Sequence, residues 1–377
     1  MKITIVGTAF PLRGGIAHYN ALLAEALEQR GHTVNTITFK RQYPTFLFPG
    51  KTQQETGETA QVAPAPALID SINPFNWLAV GRMIRDQRPD LVIFKYWLPF
   101  FGPCFGTIAR MAKRNHHTKV LFICDNVLPH EHRPGDRLFT RYAFGAVDYF
   151  IVQSAAVERD LRTVHPKAVY RFAPHPVYTI FGKEMDKQVA RRQLGITDDR
   201  VILFFGYIRR YKGLHVLLSA VQEARKTVSL RLLVVGEFYT DQEEYRKQIE
   251  QLGLQDCVTV YAEYVPNDKV AAFFSAADVV VLPYISATQS GITQIAYNFN
   301  KPVIASDVGG LAEVVKDGIT GIIVPPNEPV RLAQALTEYY HRNLEAAMTP
   351  RVIEEKRLYS WEHFVEAIEA LSGEQPR

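Results

Sequence analysis

Phe204-Phe205-Gly206-Tyr207-Ile208-Arg209-Arg210-Tyr211-Lys212-Gly213-Leu214 decides how this chain is read. The apolar run Val201–Phe205 leads into it as a strand, and Leu214, Leu217, Leu218 and Val221 recur behind it at helical spacing over Leu214–Ala224. Between strand and helix stands a loop with Arg209, Arg210 and Lys212, closed by Gly213. Such a turn offers a phosphate fixed cations, backbone N–H groups and the favourable end of a helix dipole. By itself the segment reads equally as a surface turn with solvated basic residues.

Two later segments repeat the pattern. Pro283-Tyr284-Ile285-Ser286-Ala287-Thr288-Gln289-Ser290-Gly291-Ile292-Thr293-Gln294 follows the apolar run Val279–Leu282, and Asp307-Val308-Gly309-Gly310-Leu311-Ala312-Glu313 follows Val303–Ala305. All three turns lie at the carboxyl ends of predicted strands, where open α/β sheets bind ligands. One such turn is a connection; three in series point to a nucleotide site.

Outward from here the alternation of strand and helix fills the chain. Leu230–Val235 and Val258–Tyr261 complete a second block, and Ile3–Val6, Val34–Phe39, Leu91–Tyr96, Val120–Cys124 and Tyr149–Gln153 form a first. Unalternating apolar strands between helices imply a parallel sheet covered on both faces. After the first strand comes Gly7-Thr8-Ala9-Phe10-Pro11-Leu12-Arg13-Gly14-Gly15. A helix follows with Ile16, Tyr19, Leu22, Leu23, Ala26 and Leu27 on one face and Gly31 as its stop. Lys40 to Pro66, rich in Pro, Gly, Thr and Gln, reads as a long loop that folds over an acceptor. Pro174-His175-Pro176 separates the blocks, and Ser360 caps a tail helix carrying Trp361, Phe364, Ile368 and Leu371. The fold class expected is α/β: two Rossmann-like, doubly wound domains facing a central cleft. Residues 1–175 form the acceptor domain, 176–358 the nucleotide-sugar domain, and 359–377 a helix packing back on the first.

Composition agrees with this division. At roughly 150 residues per domain, 377 residues suggest two. A chain 47% hydrophobic and 22% charged has material for real cores. Cys104, Cys124 and Cys257 are odd in number and scattered, which excludes a disulfide framework or a zinc site. No apolar run is long enough to span a membrane, and Met1-Lys2-Ile3-Thr4-Ile5-Val6 lacks signal-peptide character, so a cytoplasmic location is expected. The net charge of +4 divides unevenly: residues 1–175 hold 21 Lys/Arg against 13 Asp/Glu, and the remainder 22 against 26. A basic first half suits an anionic partner, such as a phospholipid surface on the inner membrane face or a lipid-linked phosphate, rather than nucleic acid. Lys113-Arg114-Asn115-His116-His117-Thr118-Lys119 is the local candidate for that contact.

Taken together, these pieces resemble the family-4 glycosyltransferases, retaining enzymes of the GT-B fold, over nearly the whole chain. The resemblance rests on Gly14-Gly15 and its helix, Asp148 to Ser154, Gly206 through Lys212-Gly213, and Pro283 to Gly291. It extends to Lys301-Pro302-Val303, Gly309-Gly310 with Glu313, and Gly318, Gly321, Pro325 and Pro326. It implies a UDP- or GDP-sugar as co-substrate, with no further cofactor, and a lipid-linked or cell-envelope glycan precursor as acceptor. It implies that Lys212 contacts the donor diphosphate, that Ser290, Gly291 and Ile292 offer donors to phosphate and sugar, and that Glu313 stands as the family's glutamate. Gly14 and Gly15 then let their loop approach the diphosphate, and the backbone at Tyr264 and Val265 reads the base. The reaction implied is front-face transfer with retention, the departing phosphate oxygen helping to deprotonate the acceptor.

The chain also departs from the family. Tyr207 stands where Gly-Arg is usual, so Arg209 or Arg210 supplies the guanidinium. The Glu-x7-Glu pair is missing around Thr288 and Ile295, so Gln289 or Gln294 holds the ribose through amide hydrogen bonds. In Phe122-Ile123-Cys124-Asp125-Asn126-Val127-Leu128-Pro129-His130, Asp125 stands where many relatives have a histidine near the transferred sugar. Asp125, Asn126 and His130 are therefore candidates for sugar or acceptor. No Asp-x-Asp occurs, so no metal is expected and Arg and Lys neutralise the diphosphate. Aromatic residues from Tyr96 to Phe105 line either an acceptor groove or the core. The lost glutamates favour a rival, a non-catalytic nucleotide-sugar-binding protein. An NAD-dependent oxidoreductase is disfavoured, because Gly7 and its followers do not make Gly-x-Gly-x-x-Gly.

Overall fold

Two wholly parallel β-sheets organise the chain. The computed structural model describes residues 1–12, 14–44, 65–128, 134–198, 200–239, 242–287 and 290–373. It divides into two compact units, Met1–Pro176 with Tyr359–Arg377, and Val177–Leu358.

The first unit has strands β1 (Lys2–Val6), β2 (Thr33–Arg41), β3 (Ala67–Asp70), β4 (Leu91–Tyr96), β5 (Lys119–Cys124), β6 (Tyr149–Val152) and β7 (Tyr170–Phe172), in the order β3-β2-β1-β4-β5-β6-β7. Its helices are α1 (Gly15–Gln29), α2 (Pro74–Gln87), α3 (Gly102–Ala112), α4 (Asp136–Phe144) and α5 (Ala155–Val164). The second unit begins with α6 (Lys187–Gln193). It has β8 (Val201–Phe205), β9 (Arg231–Val235), β10 (Val258–Tyr261), β11 (Val279–Leu282), β12 (Val303–Ser306) and β13 (Gly321–Val324), in the order β10-β9-β8-β11-β12-β13. Between and after them run α7 (Leu214–Ala224), α8 (Gln242–Gln251), α9 (Asn267–Ala276), α10 (Gly291–Asn298), α11 (Leu311–Val314), α12 (Pro329–His341) and α13 (Leu344–Glu355). Helix α14 (Trp361–Gly373) then belongs to the first unit.

Central strands are apolar because both faces are covered. Every residue of β4 is buried, and so are the inner residues of β5 and β11. The helical periodicities hold as well. In α7 Leu214, Leu217, Leu218 and Val221 are at most 1% exposed, and α1 buries Tyr19, Leu22, Leu23, Ala26 and Leu27. Ser360 caps α14 as its sequence suggests, its hydroxyl accepting from the His363 N–H at 3.2 Å. Phe364, Ile368 and Leu371 of that helix are buried, and its Glu369 pairs with Arg30 and His32 next to α1.

Three strands escape the sequence reading: β3 and β13, whose apolar runs, 67–69 and 322–324, are only three residues long, and β7. All three lie at sheet edges, where one neighbour suffices to fix a strand and short, half-exposed sequences are tolerated. Gly321 of β13 sits where a Cβ would come 1.9 Å from the Val303 carbonyl oxygen, so the close approach of the two strands requires glycine there. Most of the Lys40–Pro66 segment lies outside the described residues, but its first two residues extend β2 to Arg41. The aromatic run resolves to core: Tyr96, Phe101 and Phe105 are fully buried and Trp97 is 8% exposed.

Candidate active site

In both sheets the strand order reverses between adjacent strands, β1 and β4 in the first and β8 and β11 in the second. That switch point opens a crevice beyond the carboxyl ends of the strands. In the second unit it is bordered by the two loops that the sequence singles out.

After β8 the chain makes a positive-φ turn at Gly206 (+100°), then a single 3₁₀ turn over Arg210–Lys212, then α7. Gly213, at φ +70°, abuts the other loop so closely that a Cβ would lie 1.9 Å from the Pro283 carbonyl oxygen. Gly236, at the end of β9, approaches the Gly206 carbonyl oxygen just as tightly, at 2.1 Å for a Cβ. The Ile285 N–H donates to the Tyr211 carbonyl at 2.7 Å and ties the two loops together. Gly213→Ala is therefore expected to lower stability by about 2–3 kcal/mol and to weaken nucleotide binding, both read by thermal denaturation with and without UDP.

Lys212 lies inside this frame, 9% exposed. Its Nζ stands 3.2 Å from where a Gly206 Cβ would be, beside the Ile292 side chain, and 5.6 Å from the Tyr284 ring centroid. Burial, and after it the charge of Arg209, push its pKa down to about 8. No carboxylate among the described residues pairs with it. An ammonium held this way has unspent affinity for an anion.

Arg209 and Arg210 part company. The Arg209 guanidinium lies 4.6 Å from the Tyr239 ring centroid and bears electrostatically on Lys212. Arg210 points to the surface and pairs with Glu244 of α8 at 3.2 Å. Arg210 thus has a counter-ion, while Arg209 joins no ion pair among the described residues.

Across the switch point, Ser290 caps α10. Its Oγ accepts from the Ile292 N–H at 3.2 Å and shares a hydrogen bond of 3.2 Å with the Tyr284 hydroxyl. Ser290, Gly291 and Ile292 remain partly accessible, and the Tyr178 ring lies 3.1 Å from where a Gly291 Cβ would be. Tyr284, to which the sequence assigns no role, braces this cap; burial raises its phenol pKa. Tyr264 and Val265 stand half-buried between β10 and α9, and Glu313 is exposed on α11 after β12. These residues thus occupy consecutive carboxyl-end loops of one sheet. Gln294, one of the two candidates for the ribose, is 1% exposed, and its Oε1 has no hydrogen-bond partner among the described residues. Gln289 and His130 lie outside the described residues.

The first unit has its own polar centre at the same edge. Gly14, at φ +114°, precedes α1, and Gly15 opens it. Asp125, directly after β5, forms an ion pair with Lys95 Nζ at 2.6 Å. Lys95 is 1% exposed, donates to Gln153 Oε1 at 3.1 Å and lies 3.4 Å from the Tyr19 ring centroid. Its burial lowers its pKa, and burial with the Lys95 charge holds His175 neutral, with its pKa down at about 3. Sequence reasoning missed Lys95, although a lysine inside Leu91-Val92-Ile93-Phe94-Lys95-Tyr96 is the one polar residue of a buried strand, and a buried lysine needs a partner.

No group of three or more His, Cys, Asp or Glu among the described residues could hold a metal ion. No helix among them is long and apolar enough to cross a membrane.

Comparison with known proteins agrees with this geometry. Residues 199–342 match the family described as Glycosyl transferases group 1, and residues 14–174 match the Glycosyl transferase 4-like domain. The chain is 27% identical to a D-inositol 3-phosphate glycosyltransferase of Acidothermus cellulolyticus, over 94% of this chain and 84% of the relative. It is 29% identical to an uncharacterised glycosyltransferase of Methanocaldococcus jannaschii, over 96% and 95%. Among solved structures it resembles sucrose-phosphate synthase from Thermosynechococcus elongatus, with a TM-score of 0.74, 19% identity and 98% of each chain covered. HepE of Anabaena in complex with UDP gives a TM-score of 0.74 at 17% identity, over 98% of this chain and all of that one. Two parallel-sheet units and matches to both halves of the family have one common account: the chain belongs to the family-4-like glycosyltransferases of the GT-B fold.

Proposed function

We propose that this enzyme transfers a hexosyl group from a UDP- or GDP-sugar, with retention and without a metal, to a lipid-linked or cell-envelope acceptor. The observation that carries the proposal is the buried Lys212 ammonium, unpaired with any carboxylate among the described residues and flanked by Arg209 and the Ser290–Ile292 cap. A diphosphate placed there gains two fixed cations and backbone donors. Both act most strongly as the bond from the anomeric carbon to the phosphate oxygen breaks and charge collects on that oxygen. The acceptor hydroxyl oxygen forms the new bond to the same carbon, and its proton passes to the departing phosphate oxygen. The second unit holds the donor, Tyr264 and Val265 facing the base and Glu313 the sugar. The first unit holds the acceptor, with Asp125 and Asn126 as its polar contacts and Gly14-Gly15 giving close backbone approach.

A thermal-shift panel of UDP-glucose, UDP-N-acetylglucosamine and GDP-mannose, run in the presence of a chelator, tests this. A true donor at 100 times its Kd stabilises the fold by about 2.7 kcal/mol. No shift from any nucleotide sugar, or a shift lost on chelation, sinks the reading. The non-catalytic rival is separated by turnover: it binds the donor yet releases no UDP or GDP.

Donor recognition also has an expected pH dependence. In the free enzyme Lys212 is charged below about pH 8 and neutral above it, and only the charged form attracts the diphosphate. Donor KM is expected to be flat below that pH and to rise about tenfold per pH unit above it, with kcat less affected. A donor KM that stays flat to pH 9.5 assigns the anion to another group.

A further inference from the structure

We propose that the outer face of α4 is a docking surface for an anionic phospholipid bilayer. Helix α4 buries Thr140, Ala143 and Phe144 against the first unit. Its opposite side carries Leu138, 69% exposed, with Phe139 and Tyr142 each at 40%, an unusual concentration of large apolar groups on so short a helix. Arg137 and Arg141 are exposed beside them, one helical turn apart, and neither joins an ion pair among the described residues. At helical spacing Arg137 and Arg141 form one strip and Leu138 and Tyr142 the next, with Phe139 beyond. Tyr142 adds an amphipathic ring, its hydroxyl bonded to Thr107 at 2.9 Å and its face 4.0 Å from the Arg110 guanidinium. An apolar ridge flanked by unpaired arginines is the pattern of a helix lying in a membrane interface.

The charge argument converges on the same place. Residues 1–175 hold an excess of eight basic over acidic side chains. In the Lys113–Lys119 run that the sequence favoured for an anionic contact, Lys113 pairs with Asp148 and His117 with Asp90, each at 2.9 Å, and Asn115 caps its turn, which leaves Arg114 and Lys119 without an ion pair among the described residues. Neither guanidinium group of α4 joins an ion pair among the described residues, and with Thr163 and Val164 of α5 they border a shallow recess suited to a lipid phosphate. Size favours a bilayer over a protein. A nine-residue helix presents a face about 13 Å long and about 10 Å across, far below the roughly 800 Å² that each partner contributes to a stable protein interface. Shallow insertion of one ridge needs no more area than this. The proposal deepens the lipid-linked-acceptor reading above and rests on it for purpose, though not for geometry.

The test is co-sedimentation of the full chain with vesicles of phosphatidylcholine containing phosphatidylglycerol, against vesicles of phosphatidylcholine alone. The wild type is expected to pellet with the anionic vesicles and to be released by salt. Arg137→Gln and Arg141→Gln are each expected to weaken partitioning about fivefold, and Leu138→Asp at least about tenfold. Thermal stability and the nucleotide-sugar shift should stay as in the wild type, since all three side chains are exposed. The proposal is overturned if the wild type ignores anionic vesicles at low salt, or if the α4 variants pellet as it does. Lipid-free self-association abolished by Leu138→Asp also overturns it, and gives the face to a second copy of the chain. Failure of the donor reading would show separately, as a wild type that binds vesicles but responds to no nucleotide sugar.

Discussion

Replacing Lys212 with methionine is expected to cost about 10²–10³ in kcat while making the free protein more stable. The first effect follows from removing a preorganised cation beside a leaving group that gains charge in the transition state. The second follows from the cost of burying that cation. Burial and Arg209 hold its pKa near 8 against an ordinary 10.5, so keeping it charged at neutral pH costs about 3 kcal/mol. Methionine has nearly the same reach and no charge, so up to about that much stability returns. The sign can be checked by pH. Between about pH 8 and 10.5 the unfolded chain holds a proton on Lys212 that the folded chain has released, so wild-type stability rises with pH across this window. The advantage of Lys212→Met is full below pH 8 and shrinks toward pH 10.5. Denaturant unfolding at pH 7 and pH 10, paired with turnover on the donor found by thermal shift, reads both effects. A variant that keeps wild-type turnover, or that is less stable at pH 7, removes Lys212 from the role given to it.

Replacing Asp278 with alanine is expected to do the opposite: cost about 3–5 kcal/mol of stability and leave donor recognition by the folded fraction unchanged. Asp278 precedes β11 at the amino end of the second sheet, away from the switch-point loops. It is 4% exposed and accepts from Arg191 at 2.8 Å, Lys187 at 2.7 Å, the Val201 N–H at 2.7 Å and the Tyr340 hydroxyl at 3.3 Å. Arg191 is as buried as Asp278, and its Nε also donates to the Ala276 carbonyl at 3.0 Å. Removing Asp278 takes a carboxylate away from the buried Arg191 guanidinium and from Lys187 together, the costly way to break a buried pair. The strand-start N–H of Val201 loses its acceptor as well. Asp278→Asn keeps an oxygen for Val201 and should fall between the two. Urea unfolding supplies the stability, and the nucleotide-sugar Kd below the transition supplies the control. A loss under about 1 kcal/mol would show that solvent reaches Arg191 readily.

These two residues show how unevenly the chain reveals itself. Lys212 was visible from sequence because a cation between a strand end and a helix start has a chemical meaning wherever it occurs. Asp278 looked like any acidic residue before a strand; only the convergence of α6, α12, β8 and β11 makes it a hub. Lys95 was missed for a related reason. Its neighbours in Leu91–Tyr96 read as a buried strand, but its partners Asp125, Gln153 and Tyr19 come from three other elements. Arg209 and Arg210 were indistinguishable as neighbours in a loop, and the position of Glu244 on α8 separates them. Gln294 was named because an amide near a lost glutamate suggests substitution, and its burial to 1% exposure on α10 could not be read from that position alone.

The order of strands and helices, the two-unit division and the glycine-cation loops were settled by local chemistry: apolar runs, helical spacing, capping residues and turn glycines act over a few positions, and sequence records them directly. Among the described residues, which cation has no carboxylate partner and which carboxylates are consumed was decided by tertiary structure alone, as was the lack of an ion pair at Arg137 and Arg141 of α4. Electrostatic partnership depends on distance in space, and parallel sheets bring together residues that stand dozens of positions apart in the chain.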